Sequence, residues 1–139
     1  MNTEISQSEE MTKEMASTLA KELTEPKIIC LHGDLGAGKT IFVKGFASGL
    51  GFKDDEIKSP TYTFLRTHKL NGKILHHFDF YRIEEIDDIM ASDLQELFEQ
   101  QNAFYLIEWP QRVISALPEE VINVNLEYLG PKTRKINIS

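Results

Sequence analysis

Gly33, Gly38, Lys39 and Thr40 stand at the spacing glycine, any four residues, glycine, lysine, then serine or threonine, inside the stretch "LHGDLGAGKT". That spacing is built for holding a polyphosphate. Glycines without β-carbons let backbone N–H groups wrap a phosphate, and a helix starting at the last glycine points its positive end at the same anion. A lysine at this place bridges the β- and γ-phosphates as a mobile point charge, and the hydroxyl after it ligates Mg2+. From average residue usage, the pattern arises by chance in a chain of this length with a probability of about half a percent. The lysine, lying on a loop, is expected to face solvent.

A site of this kind needs a carboxylate at the end of a neighbouring strand, because Mg2+ keeps several waters and takes few protein ligands. Two candidates exist. Glu108 follows the apolar residues "FYLI" and would stand at a strand's carboxyl end. Asp79 lies in "HFDFYR", where alternation puts His77, Asp79 and Tyr81 on one face of a strand and Phe78 and Phe80 on the other. In "KSPTYTF", Ser59, Thr61 and Thr63 offer hydroxyls that can order around a γ-phosphate and loosen after hydrolysis; the plainer reading is that Ser and Pro only start a strand. No Asn-Lys-x-Asp motif of the guanine-reading kind occurs, so ATP is favoured over GTP. His32, His68 and His76 lack ligand-like company and read as structural or surface residues.

These residues must be held by a framework. "KIICL" is a short continuous apolar run, the signature of a strand covered on both faces. Before it, the spacing of Met11, Met15, Ala16, Leu19, Ala20 and Leu23 predicts an amphipathic helix over Gln7 to Leu23, with Ser6 and Glu9 as a capping box. After the glycines, Ile41, Phe42, Phe46, Ala47 and Leu50 predict a second helix that ends at Gly49 and Gly51. "TYTFLRTHKL" and "KILHHFDFY" form a hairpin through Asn71 and Gly72. The segment with Ile83, Ile86, Ile89, Met90, Leu94, Leu97 and Phe98 predicts one or two helices interrupted near Ser92. "AFYLIE" is a buried strand stopped by Trp109 and Pro110, and "VINVNLEYL" with "RKINIS" predicts a terminal hairpin.

With 139 residues, 41% of them hydrophobic and 27% charged, the chain fits one globular domain. Its single cysteine, Cys30, sits in an apolar run and reads as a buried hydrophobe in a reducing compartment. No run of about 18 apolar residues occurs, and neither a membrane span nor a leader is expected. The net charge of -7 is concentrated: every charged residue from Glu84 to Glu99 is acidic, which would repel a phosphate backbone. Direct strong binding to nucleic acid is therefore not expected. The acidic run is either a solvated helix face or a docking surface for a basic partner.

The combination of "GDLGAGKT", "SPTYTF", "HFDFYR" and "IEWP", in that order and across essentially the whole chain, resembles the TsaE (YjeE) family of bacterial P-loop ATPases. The resemblance implies a P-loop NTPase-like three-layer α/β/α domain over residues 1–139, with a mixed, mostly parallel central sheet and β-hairpin additions. It also implies a cytoplasmic, Mg2+-dependent ATPase, weak alone, that supports threonylcarbamoyladenosine modification of tRNA with the transferase TsaD and its scaffold TsaB. Carried over by motif, Asp34, Gly36, Ala37, Gly38, Lys39, Thr40 and Ile41 hold ATP, Thr40 and Glu108 hold Mg2+, and Asp79 positions the attacking water. Lys39, Asp79 and Glu108 are then the catalytic set. Ser59 and Thr61 form a switch-like element, Trp109 lies near the nucleotide, and Thr12 and Arg134 lie toward the adenosine end. Two other classes stay open at this level: a small-molecule kinase, although Arg82 is the only Lys or Arg between Lys73 and Arg112, and a nucleotide-dependent binding module without catalysis.

Overall fold

The structure, a computed structural model, describes residues 2–25, 27–34, 36–53 and 64–139. The apolar run before the glycines is strand β2 (Ile28–His32), in the middle of a seven-stranded sheet. Ile29 and Leu31 enter one apolar cluster, and Ile28 and Cys30 enter the other. A strand can be apolar at every position only when both its faces are covered, and here both are.

In chain order the elements are β1 (Asn2–Ser6), α1 (Glu9–Glu22), β2, α2 (Lys39–Gly49), β3 (Leu65–Leu70), β4 (Lys73–Asp79), α3 (Asp88–Leu97), β5 (Ala103–Glu108), β6 (Ile122–Tyr128) and β7 (Arg134–Ile138). Two 3-10 turns, Pro110–Arg112 and Ile114–Ala116, lie between β5 and β6. The sheet order is β1-β7-β6-β2-β5-β4-β3. The inner strands β4, β5, β2 and β6 run parallel, while β3, β7 and β1 are added antiparallel at the edges. This is the expected mixed sheet with its two hairpins. The β3–β4 turn has positive φ at both Asn71 (50°) and Gly72 (81°), the geometry a two-residue hairpin requires. The part of the first expected hairpin strand at 61–63 lies outside the described residues.

One face of the sheet is covered by α1 and α2, whose Ala16, Ala20, Phe42, Phe46 and Ala47 pack with Leu75, Leu106, Val124 and Ile136. The other is covered by α3 and the 3-10 turns, around Phe78, Phe80, Tyr105 and Ile107. Each fully buried Phe contributes about 1.5 to 3 kcal/mol through the area it removes from water. Helices α1 and α2 approach so closely that a β-carbon on Gly45 would lie 2.3 Å from the Lys13 carbonyl oxygen. Among the described residues, no helix is long and apolar enough to cross a membrane.

Three local expectations change. Residues Asn2–Ser6, where no strand is expected and Ser6 is the expected helix cap, form β1, which pairs antiparallel with β7. Helix α1 is capped not by Ser6 but by Ser8, whose Oγ accepts from the Met11 N–H at 3.1 Å. Ser6 ends the strand instead, sharing a 2.7 Å hydrogen bond with Thr12 Oγ1. Of the acidic segment, Asp88–Leu97 forms one helix, α3, which runs through Ser92 without a break and is capped by Asp87, while residues 83–87, expected to be helical, are not.

Candidate functional site

Strands β2, β4 and β5 run parallel and end side by side: Leu31 pairs with Glu108, and Glu108 pairs with Asp79. The carboxyl edge of a parallel sheet is where ligands bind, because the following loops and helix N-termini converge there. The glycine loop crosses this edge between β2 and α2. Gly38 is the N-cap of α2 in a left-handed conformation (φ 98°) that an L side chain rarely adopts. With no side chain at the cap to accept from the first turn, the helix presents its positive end toward the loop. Gly33 is fixed by space, since a β-carbon there would lie 2.6 Å from the Leu126 carbonyl oxygen.

Gly36, Gly38, Lys39, Thr40, Ile41, Asp79, Glu108, Trp109 and Arg134 line one cavity of about 420 Å3, together with Glu9 and Tyr81. A volume in this range is ordinary for small-molecule sites. A larger recess of about 630 Å3 lies at the opposite end of the sheet, by the Asn71–Gly72 turn. Its lining brings no two carboxylates together, so chemistry rather than size chooses between them. Thr12 is buried on α1 and lines a small space of about 30 Å3 whose wall shares Glu9, Gly38, Ile41 and Arg134 with the main cavity. Ala37 is buried and Asp34 is exposed; they shape the loop through a turn in which the Ala37 N–H donates to the Asp34 carbonyl at 3.0 Å. Ser59 and Thr61 lie outside the described residues.

Lys39 does not face solvent. It is 6% exposed, with its ammonium 4.5 Å from the centre of the Trp109 ring. The charge rests on the ring's electron-rich face while the aliphatic stem is covered. Trp109 reaches this place by a backbone uncommon for an aromatic residue (φ 59°), because the chain leaves β5 sharply into the Pro110 turn. The Tyr81 ring lies 4.9 Å from it.

Glu108 and His77 are both buried, and His77 Nε2 lies 2.6 Å from Glu108 Oε2. The imidazole N–H holds one carboxylate oxygen and leaves the other to the cavity. His77 was placed beside Asp79 by strand alternation, yet nothing in the spacing linked it to a residue 31 positions away. Asp79 Oδ1 accepts from the Tyr81 N–H at 3.0 Å. Burial pushes the Asp79 carboxyl above its ordinary value; the Tyr81 N–H opposes that, and the charge of Glu108 adds to it. His76 turns to the opposite face, between Thr67 and Gln100, and His32 bonds Asn123, both structural as expected.

Among the described residues, no three His, Cys, Asp or Glu side chains form a metal cage. The Thr40 hydroxyl and the Asp79 and Glu108 carboxylates are hard oxygen donors around an open volume. That set fits Mg2+, which takes one or two carboxylates and completes its shell with phosphate oxygens and water.

Residues 6–136 match the family described as threonylcarbamoyl adenosine biosynthesis protein TsaE. The chain belongs to this family. Among curated TsaE proteins, it is 38% identical to that of Haemophilus influenzae, over 84% of this chain and 73% of the relative. It is 36% identical to that of Treponema pallidum, over 97% and 98% of the two chains. Both relatives are named tRNA threonylcarbamoyladenosine biosynthesis proteins. The crystal structure of Bacillus subtilis YdiB superimposes with a TM-score of 0.77 at 30% identity, covering 99% of this chain and 83% of that one. The resemblance drawn from four short motifs thus holds for the whole fold, and three of those TsaE motifs meet at one sheet edge.

Proposed function

We propose that this TsaE-family chain is a single-domain, cytoplasmic, Mg2+-dependent ATPase that assists threonylcarbamoyladenosine modification of tRNA, acting with TsaD and TsaB. The observation that carries the ATPase reading is the convergence of the glycine loop, Lys39 and Thr40 with two carboxylates, Asp79 and Glu108, on one cavity. A site that only docked a nucleotide would need the loop; paired acids beside it are what hydrolysis needs.

In this reading, Asp34 and Gly36 to Ile41 surround the phosphates, and the positive end of α2 favours their charge. Lys39 swings from the Trp109 ring to the β- and γ-phosphates. Thr40 and Glu108 would hold Mg2+, which would supply positive charge to the phosphate oxygens. His77 keeps the Glu108 carboxylate oriented. Asp79 orients the attacking water and takes its proton. Ser59 and Thr61 answer to the γ-phosphate, Trp109 and Tyr81 flank the nucleotide, and Thr12 and Arg134 bound the loop's outer, adenosine-facing side. Output passes to the partners rather than to a small acceptor, in keeping with the lack of basic clamping residues between Lys73 and Arg112 apart from Arg82.

ATP turnover with and without purified TsaB and TsaD tests this. Slow hydrolysis alone and a clear increase with the partners are expected; no increase at saturating partner would sink the accessory role. Asp79→Ala separates catalysis from docking: if modification still runs through many turnovers without hydrolysis, binding alone suffices.

A further inference from the structure

We propose that Arg134 is a positioning residue, a strut that fixes the phosphate loop from outside so that its effect on ligand binding passes through the loop's backbone. The inference rests on reading this loop as the phosphate site and adds what holds it in shape.

Arg134 opens β7, remote in sequence from the loop, yet its guanidinium is committed there. Nε donates to the Ala37 carbonyl and Nη2 to the Gly36 carbonyl, each at 3.1 Å. Nη1 donates to the Gly130 and Thr133 carbonyls at 2.6 and 3.0 Å, and the group lies 4.7 Å over the Tyr128 ring. A guanidinium has five N–H donors in a rigid fork, and four are spent on carbonyls here. One side of that fork grips the loop and the other grips the β6–β7 turn.

The peptide plane explains why this matters. A trans peptide points its C=O and its N–H in opposite directions. Pinning the Ala37 carbonyl to Arg134 therefore turns the Gly38 N–H away from Arg134. Gly36 and Gly38 have φ of 83° and 98°, and glycine has no β-carbon to make such conformations the only ones available. A loop that gave up side chains for closeness to phosphate cannot hold its own peptide planes. Arg134 does so from outside, through hydrogen bonds of the charge-assisted kind.

The test compares binding of Mg·ATP and of Mg·tripolyphosphate, which lacks the nucleoside, to wild type, Arg134→Gln, Arg134→Lys and Tyr128→Ala. Arg134→Gln is expected to weaken both ligands by the same factor, about tenfold or more, as the loss of charge-assisted bonds implies. Arg134→Lys keeps the charge but not the fork and is expected to restore little. Loss confined to ATP would overturn the proposal in favour of nucleoside contact; full rescue by lysine would overturn it in favour of simple charge. Tyr128 is 57% exposed and lines neither cavity, so Tyr128→Ala tests the strut where Arg134 variants fold poorly, with a smaller loss, equal for both ligands, expected. In ligand-free protein, hydrogen exchange at the Ala37 amide, which donates to the Asp34 carbonyl, should quicken in the Arg134 variants while β2 stays protected; unchanged exchange overturns the strut. If wild type bound neither ligand, the phosphate reading would fail, and the exchange result would still decide the strut.

Discussion

Asp79 and Cys30 show how burial shifts the chemistry of single residues. Desolvation raises the Asp79 carboxyl, so its charged form costs more in the folded chain than in the unfolded one. The sign follows: below the ordinary carboxylate range both states are neutral and nothing is lost, while at neutral pH the charge destabilises the ligand-free fold. Asp79→Asn, which keeps an oxygen for the Tyr81 N–H, should raise the melting temperature at pH 7, and the gain should vanish near pH 4. Cys30 is 1% exposed, and burial pushes its thiol from an ordinary 9.0 to about 12. Between those values the unfolded chain ionises and the folded one does not, so stability falls as pH rises, by up to about 1.4 kcal/mol per pH unit. Urea titrations at pH 8.5 and 10 should show that slope in wild type and lose it in Cys30→Ala. At this scale the spacing of Gly33, Gly38, Lys39 and Thr40 was legible, because a phosphate loop is local in sequence. The His77–Glu108 pair was not, because it forms only when β4 lies beside β5.

Gly45 sets the closest contact between elements. Replacing a helix-interior glycine by alanine ordinarily stabilises by about 1 kcal/mol through propensity. Here the new methyl would stand 2.3 Å from a carbonyl oxygen of α1, and backbone cannot yield as a flexible side chain does. Overpacking of this kind costs about 1 to 3 kcal/mol or more, so the contact outweighs propensity. Gly45→Ala should therefore lower the urea midpoint; an increase would show that α1 and α2 can separate at little cost. The same element scale explains which segments could be read. Strand β2 and helix α2 declare themselves through apolar runs and periodicity. Strand β1 does not: it is short, lies at an edge and leaves Ile5 46% exposed, so only pairing with β7 makes it a strand. Gly49 looked like a helix stop and is the last residue of α2, but its bareness also serves the crossing with Ser17.

For the whole molecule, the sheet order joins the site's parts. The cavity draws on the glycine loop and the first turn of α2, the ends of β4 and β5, the start of β7 and the first turn of α1. A ligand held by so many elements binds the folded chain and not the unfolded one. Mg·ATP at about 100 times its dissociation constant should then add about 2.7 kcal/mol to stability. Thermal melts with Mg·ATP, with ATP and EDTA, and with neither should rank in that order; equal melting temperatures would deny binding at this site. A mixed sheet could be foreseen from the alternation of strand and helix patterns. Its order could not, since nothing local tells β2 to lie between β5 and β6.

The union of the earliest and latest strands also bears on how the protein comes into being. A chain emerging from the ribosome presents Asn2–Ser6 and the glycine loop long before residues 134–138 exist. Until then β1 has no partner, and Gly36 and Ala37 have no guanidinium to hold their carbonyls. The glycine loop is thus among the earlier parts translated, and its cavity is among the last completed. A stalled or truncated product ending before Arg134 would carry the whole glycine-lysine motif and still lack the guanidinium that grips it.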